Sequence, residues 1–403
     1  MKSLITEAEA LFGQVREWRR ALHARAELSF EEHRTSHYIA SVLTQLGMEF
    51  RPVAGTGLLV RLAGRGGGGG DDLQRAVVMR ADIDALPVHE ESGLPFASEQ
   101  EGVMHACGHD MHAATLLGAL RLVQSRLGDF TGTVLGLFQP GEELNPGGAS
   151  LVLAEHPFDS YDIAGFVGQH IDPELPAGVF GFRPGQYMAS SDELRFTVRG
   201  VGGHGAMRRN IKDAVLAAAE FVVALHAIQP TINPQNNPPL VLSVGRVVAD
   251  GTTNVIPDEV HIEGTLRAFD ESLRAQAKEM ILEAAAAVGS RHGVTIETDI
   301  STGYPCVVND ARLTEAAAGA VRELLGAGSV RSLELRPTAE DFGFYTRLYP
   351  SVFYRCGAGA DSVVPGMESP VPAGKLHTSH LCPNENALRY APAVMAATAL
   401  SIL

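Results

Sequence analysis

Three segments share one grammar, an apolar run that ends in charged or ligating side chains at a turn: AVVMRADIDALP (Ala76 to Pro87), TGTVLGLFQPGEE (Thr131 to Glu143) and IAGFVGQH (Ile163 to His170). Short runs without alternation read as strands covered on both faces, and a helix expected from Ala113 to Leu127 supplies the crossover that parallel strands require. The expected fold is therefore α/β, with a mixed, mainly parallel sheet flanked by helices. In open sheets of this kind ligands bind beyond the carboxyl ends of the strands, where Asp82, Glu142, Glu143 and His170 are expected.

Residues 186 to 300 follow a different rhythm. SSDELRFTVRG (190 to 200) alternates and NIKDAVLAAAEFVVALHAI (210 to 228) is helical. PLVLSVGRVV (239 to 248) and EVHIEGTLRAF (259 to 269) read as strands, a helix follows from Glu271 to Val288, and VTIETDI (294 to 300) closes the set. The order βαββαβ is a ferredoxin-like unit able to fold by itself. A chain of 403 residues is also long enough for more than one core. Beyond this segment, helices are expected from Ala311 to Leu325 and from about Glu385.

The N-terminal residues space Ala8, Leu11, Phe12, Val15, Trp18 and Leu22 along one helical face, which reads as a folding helix and not a secretory leader. Near 214 to 228, Glu220 and His226 interrupt the best candidate for a membrane span, so none is expected. A net charge of −15 argues against nucleic acid or an anionic membrane as the main partner. Cys107, Cys306, Cys356 and Cys382 lie too far apart to suggest a disulfide framework or a four-cysteine zinc site, and a cytoplasmic protein is expected. The glycine run within Arg65 to Asp72 lacks the Lys-Ser/Thr pair and following helix of a phosphate cradle and reads as a solvated loop.

The chemistry concentrates in MHACGHDMH, residues 104 to 112. Cys107 and His109, one residue apart, can offer thiolate and imidazole from one loop to one ion. A helix N-terminal loop with solvated histidines fits the same letters, since His105 and His112 cannot all be ligands as well. QPGEE (139 to 143) reads alone as a solvated acidic turn. Beside a metal it suggests a division of labour, one glutamate holding the ion and its neighbour taking a proton from a water whose pKa the ion lowers to about 7.

Together, RADIDALP (80 to 87), HACGHDMHAA (105 to 114), QPGEE and GTTNVIPDEVHIEGTLR (251 to 267) resemble the M20 metallopeptidase family, in its branch of hippurate, N-acyl-amino-acid and auxin-conjugate hydrolases. The resemblance runs from LHARAELSFEE near the N-terminus to LHTSHLCPNENAL near the C-terminus. It implies two divalent metal ions (Zn, Mn, Ni or Co) held by Cys107, His109, Glu143, His170 and His377, with Glu142 as general base. His377 and His380 both lie in the last motif, and its register places His377 at the ligand position. By the same resemblance Asp82 orients a ligand, while His204 in VGGHGAMRRN stabilises the oxyanion. Asn254 and Arg267 would contact substrate; Glu340 and Asp341 match a motif at the cleft and fit a helix cap equally well. The family pattern breaks at Arg208 and Arg209, where a proline and a histidine are usual, and two solvated arginines or a more acidic substrate both fit.

If His377 meets Cys107, the chain after residue 300 must rejoin the first sheet. The expected organisation is thus a discontinuous catalytic domain, 1–185 and 299–403, interrupted by an inserted domain, 186–298, which by the resemblance is a lid and the dimerisation domain of a homodimer. The implied reaction is hydrolysis of the amide bond of an N-acyl amino acid or small peptide. A non-catalytic metal-binding protein is the rival reading, against which the doubled carboxylate counts. A redox role for Cys107 lacks a resolving cysteine nearby.

Overall fold

The computed structural model describes residues 2–66, 74–360 and 371–403, so the glycine loop lies outside it from Gly67 to Asp72. The chain divides into two units: Met1–Gly185 with Val308–Glu334 and Phe344–Leu403, and Gln186–Val307 with Leu335–Gly343.

The first unit is built on an eight-stranded sheet. Its strands are β1 (Glu49–Val53), β2 (Gly57–Ala63), β3 (Arg75–Asp82), β4 (Thr133–Gln139), β5 (Asp162–Pro176), β6 (Phe180–Phe182), β7 (Val330–Ser332) and β8 (Ser351–Gly359), in the order β1-β2-β4-β3-β5-β8-β6-β7. The four pairings β3/β4, β3/β5, β5/β8 and β6/β7 run parallel, and β1/β2, β2/β4 and β6/β8 run antiparallel. Every position of β4 and β8 is buried, as strands covered on both faces require.

Five helices of this unit are α1 (Lys2–His23), α2 (His33–Gln45), α3 (His109–Gln124), α4 (Ala311–Leu325) and α5 (Ala391–Ile402). Helices α1, α3 and α5 pack on one another, and α3 is buried along nearly its whole length, which explains why its sequence is apolar around the full circumference. It begins at His109, four residues before the expected start, because Gly108 takes a left-handed conformation (φ 85°) that ends the preceding loop. The terminal helix starts later than expected. Asn384 caps a short turn over Glu385–Arg389, and α5 follows with a proline in its first turn.

Register sets the site. Asp82 of β3 pairs with Gln139 of β4, and Arg80 pairs with Gly168 of β5, so that Asp82, Gln139 and His170 reach one level of the sheet. Strand β5 continues past this level to Pro176, which corrects the expectation that His170 ends its strand. Its pairing with β3 is what stops, at Gly168.

The second unit carries a four-stranded antiparallel sheet of Leu240–Val248, Glu259–Ala268, Asp192–Arg199 and Thr295–Ile300, in that order across the sheet. Helices Ala214–Ile232 and Glu271–His292 complete a βαββαβ order. Along Asp192–Arg199 buried and exposed residues alternate. Leu194, Phe196 and Val198 join Phe221, Leu225 and Ile281 in the core, whereas Arg199 on the opposite face bridges Glu259 and Glu297. Helix Ala214–Ile232 is long and apolar enough to cross a membrane by those two measures. Here Ala214, Ala217, Phe221 and Leu225 are buried in the core of this unit, and Glu220 accepts from His292 at 2.6 Å.

Candidate metal centre

The site forms in the first unit, where α3 begins beside β5. A side chain at Gly108 would bring its Cβ to 2.3 Å from Ile171 Cδ1, so only glycine lets the loop come this close. That approach places Cys107 Sγ 3.2 Å from His170 Nε2. From the far end of the chain, the His377 backbone N–H donates to the Ala106 carbonyl at 2.7 Å, while Leu381 packs against Met104 and Ala106. His377 Nε2 thereby sits 3.3 Å from Cys107 Sγ and 3.3 Å from Glu143 Oε1. His380 does not join it; its exposed ring lies 3.8 Å from Glu91. The loop after β4 brings Glu142 Oε2 and Glu143 Oε1 to 4.0 and 3.9 Å from His109 Nε2.

The ring nitrogens divide the histidines by task. The Ile171 N–H donates to His112 Nε2 at 2.9 Å, so the proton of that ring is on Nδ1, which donates to Asp82 Oδ1 at 2.6 Å. With both nitrogens engaged, His112 has no lone pair left for an ion. His170 donates through Nδ1 to the Ile171 carbonyl (2.7 Å) and His109 through Nδ1 to Asp84 Oδ1 (3.0 Å). Each then turns a bare Nε2 toward the thiol or the carboxylates, the arrangement in which a second partner fixes the tautomer of a ligating imidazole.

His109 Nε2 is buried and has no hydrogen-bond partner among the described residues. Burial opposes a charge on this ring, yet Asp82, Asp84 and Glu143 push its pKa up to about 10. A proton placed on Nε2 would find no acceptor, whereas a cation can be shared with the atoms around it. Burial, Glu143 and Glu142 likewise hold the Cys107 thiol far above its usual range, a penalty that a cation would cancel by stabilising the thiolate. The donor set of thiol, imidazole and carboxylate therefore fits divalent metal. Ligating atoms fall within 4.8 Å of one another in two relevant groups, Cys107 with His109 and His170, and Cys107 with Glu143 and His377.

Three acidic neighbours have partners that the motifs do not reveal. Asp84 reads from sequence as merely structural, but it accepts from His109 Nδ1, from the Glu143 backbone N–H at 2.9 Å and from the Ser29 hydroxyl at 2.7 Å. Asp82 accepts from Arg80 (2.6 Å) as well as from His112; burial opposes its charge, but His109, Arg80 and His112 hold it well below the usual carboxylate range. Asp110 belongs to a separate buried network, with Arg19 Nε at 2.6 Å and His23 Nδ1 at 2.8 Å.

His105 lies against that network. Its ring is buried, neither nitrogen has a partner among the described residues, and burial lowers its pKa to about 4. As pH falls from 6.5 toward 4 the unfolded chain takes up a proton that the folded ring refuses, a loss of up to about 3 kcal/mol. His23, raised chiefly by Asp110 against its burial, contributes fully below 6.5 and does not mask this slope. His112 and His170, lowered by burial, act in the same direction as His105, so the diagnostic is a difference between proteins. In urea titrations of metal-free protein between pH 7 and 4, His105→Gln should lose stability less steeply than wild type. Equal slopes would place the acid sensitivity elsewhere.

The remaining expected residues lie in the second unit. His204 is exposed, and its Nδ1 accepts from the Ala206 N–H at 3.2 Å, which leaves the proton on Nε2. The Asn254 carbonyl accepts from the Gly205 N–H at 2.8 Å, which puts these two segments side by side. Arg267 is half-buried in the strand Glu259–Ala268, opposite Val241, and burial lowers its pKa. Arg208 and Arg209 are exposed in a short turn. Glu340 accepts from the Phe342 N–H at 3.0 Å.

Comparison with known proteins finds relatives in one family. The model of peptidase family M20/M25/M40 matches residues 78–380. An N-acetyl-L-cysteine deacetylase of Bacillus subtilis (strain 168) is 35% identical over 347 residues, 85% of this chain and 80% of its own. An N-acyl-L-amino acid amidohydrolase of Geobacillus stearothermophilus is 38% identical over 311 residues, 77% of this chain and 80% of its own. A crystal structure of a dinuclear metal binding peptidase from the M20 family, from Bacillus subtilis, superposes with a TM-score of 0.79 at 30% identity, covering 97% of this chain and 98% of that one.

Proposed function

The chain belongs to peptidase family M20/M25/M40, and on that footing we propose that it hydrolyses the amide bond of N-acyl amino acids of the hippurate kind, or of small peptides. One observation carries the reading: side chains able to ligate metal from four separate segments, the Cys107–His109 loop, Glu143, His170 and His377, come together with a second carboxylate, Glu142, beside them. The relatives named as a deacetylase of N-acetyl-L-cysteine and an amidohydrolase of N-acyl-L-amino acids support the substrate class.

Cys107, His109, Glu143, His170 and His377 would hold two divalent cations, and their mixed S, N and O donors suit Zn, Mn, Ni or Co. When bound, such ions supply Lewis acidity toward the scissile carbonyl and make a water easier to deprotonate. Glu142 takes the proton from the attacking water as its oxygen bonds to the amide carbon, then delivers it to the departing amine as the carbon–nitrogen bond breaks. Asp82 keeps His112 in its tautomer and adds negative charge 3.8 Å from His109 Nε2. His204, with its proton on Nε2, is suited to donate to the oxyanion; Asn254 and Arg267 are assigned to the substrate, the arginine to its carboxylate.

Support for a homodimer comes from the second unit. Strand Leu240–Val248 has a neighbour on one side alone among the described residues, and Val241, Val247, Leu216 and Val223 are exposed. Free, buried cysteines, with Cys107 required as a thiolate, suit the reducing cytoplasm. The test is one preparation loaded in turn with Zn²⁺, Mn²⁺, Ni²⁺ or Co²⁺, measured for metal per chain, mass in solution and release of amine from N-acetyl and N-benzoyl amino acids and dipeptides. Turnover of at least one acylated amino acid at about two ions per chain is expected. Full loading without turnover of any of them would instead describe a metal-binding protein.

A further inference from the structure

We propose that Glu32 is a positioning residue for Glu142, holding the backbone of the loop that carries the base; this rests on the reading of Glu142 as that base. Glu32 stands just before α2 and is fully buried, a costly place for a carboxylate unless its oxygens are bonded. Its bonds go to two other segments of the unit. Oε1 accepts from the Gly141 N–H at 2.8 Å and Oε2 from the Thr56 hydroxyl at 2.5 Å.

The loop it grips has little freedom. Gly141 is left-handed (φ 61°), and a Cβ there would lie 2.1 Å from the Phe30 ring, so the segment two residues before Glu32 is pressed against the same turn. The Gly141 carbonyl accepts from the Gly148 N–H at 2.8 Å, closing the loop on itself. On the other side of the base, the Glu143 N–H donates to Asp84 Oδ2, the oxygen that Ser29 also reaches. Residues 29 to 32 thus fasten the residue before Glu142 directly and the residue after it through Asp84. With both neighbours fixed, the direction in which Glu142 leaves the backbone is set by a segment more than a hundred positions away. A base has to meet its proton within hydrogen-bond reach, so a small loss of direction costs rate more than binding.

The test uses the metal-loaded enzyme and the best-cleaved member of the acyl-amino-acid panel. Glu32→Ala removes both bonds; Glu32→Asp keeps the charge but ends about 1.5 Å short, the length of one carbon–carbon bond. Each should lower kcat about tenfold or more with KM within about twofold and metal per chain unchanged. Glu32→Gln retains an oxygen for Gly141 and should stay within about threefold of wild type, since Thr56 can accept from the amide. In a Glu142→Gln background the Glu32→Asp change should cost less than about twofold, because a residue that acts through the base has nothing left to orient. Wild-type kcat in Glu32→Asp, a loss that tracks metal loss, or a full tenfold loss repeated in the Glu142→Gln background would each overturn the proposal. Full activity in Glu142→Gln alone would overturn the base assignment instead, and the two failures are separable.

Discussion

Glu142→Gln is expected to keep its metal and lose about 10²–10⁴-fold in kcat, with KM little changed. The substitution conserves size and removes the one property a base needs, a lone pair that takes up a proton near neutral pH. Its neighbour should behave otherwise. Both glutamates stand about equally far from His109 Nε2, but Glu143 Oε1 also lies 3.3 Å from His377 Nε2 and shares a group of close potential ligand atoms with Cys107, whereas Glu142 joins no group with Cys107. Removing Glu142 also lifts part of the pressure that keeps the Cys107 proton on sulfur, which offsets some of the attraction for cations lost with the charge. Glu143→Gln is therefore expected to lose both metal and activity. Metal analysis and steady-state kinetics on the two purified variants decide between the adjacent glutamates, and a Glu142→Gln enzyme with wild-type kcat would remove it as the base.

Much of this arrangement was legible before any coordinates, and particular residues show why. Strands β3, β4 and β5 announce themselves because a parallel strand covered on both faces must be apolar without alternation, and the polar letters that follow them fall at the site. The convergence of His377 on Cys107 was carried by a family resemblance; nothing in local periodicity links residues 270 positions apart. Partnership was not legible. Asp82 and Asp84 look alike in RADIDALP, yet one engages His112 and Arg80 and the other His109, Ser29 and the Glu143 backbone. Four histidines crowd His105 to His112 and His170 within the fold, and the hydrogen-bond partners of each ring are what separate the candidate ligands His109 and His170 from His112. Asp110, adjacent to His109 in sequence, turns instead to Arg19 and His23 because successive helical positions point about 100° apart. Glu32 closes LHARAELSFEE, inside the family resemblance, but that segment gave it no role of its own.

The second large effect should come from Cys107. Its sulfur belongs to two groups of close potential ligand atoms, one with His109 and His170 and the other with Glu143 and His377, so it is placed to serve two ions. Changing a residue that only orients a ligand costs about 10–100-fold in metal affinity. Losing a ligand shared by two ions should exceed that for each ion, and Cys107→Ala is expected to retain neither after dialysis and to show no turnover. His170→Ala removes a member of one group alone and should keep the ion near Glu143 and His377. Burial and the glutamates keep that thiol protonated in the metal-free protein, so the alanine removes a small buried group and no charge, and the metal-free protein should stay folded at a cost of about 1 kcal/mol. Metal per chain by mass spectrometry, set beside urea unfolding of the metal-free forms, separates loss of ions from loss of fold. Two ions and wild-type turnover in Cys107→Ala would mean that the thiol is a bystander, and the account of how the carboxylates' charge is balanced would have to be rebuilt around His109.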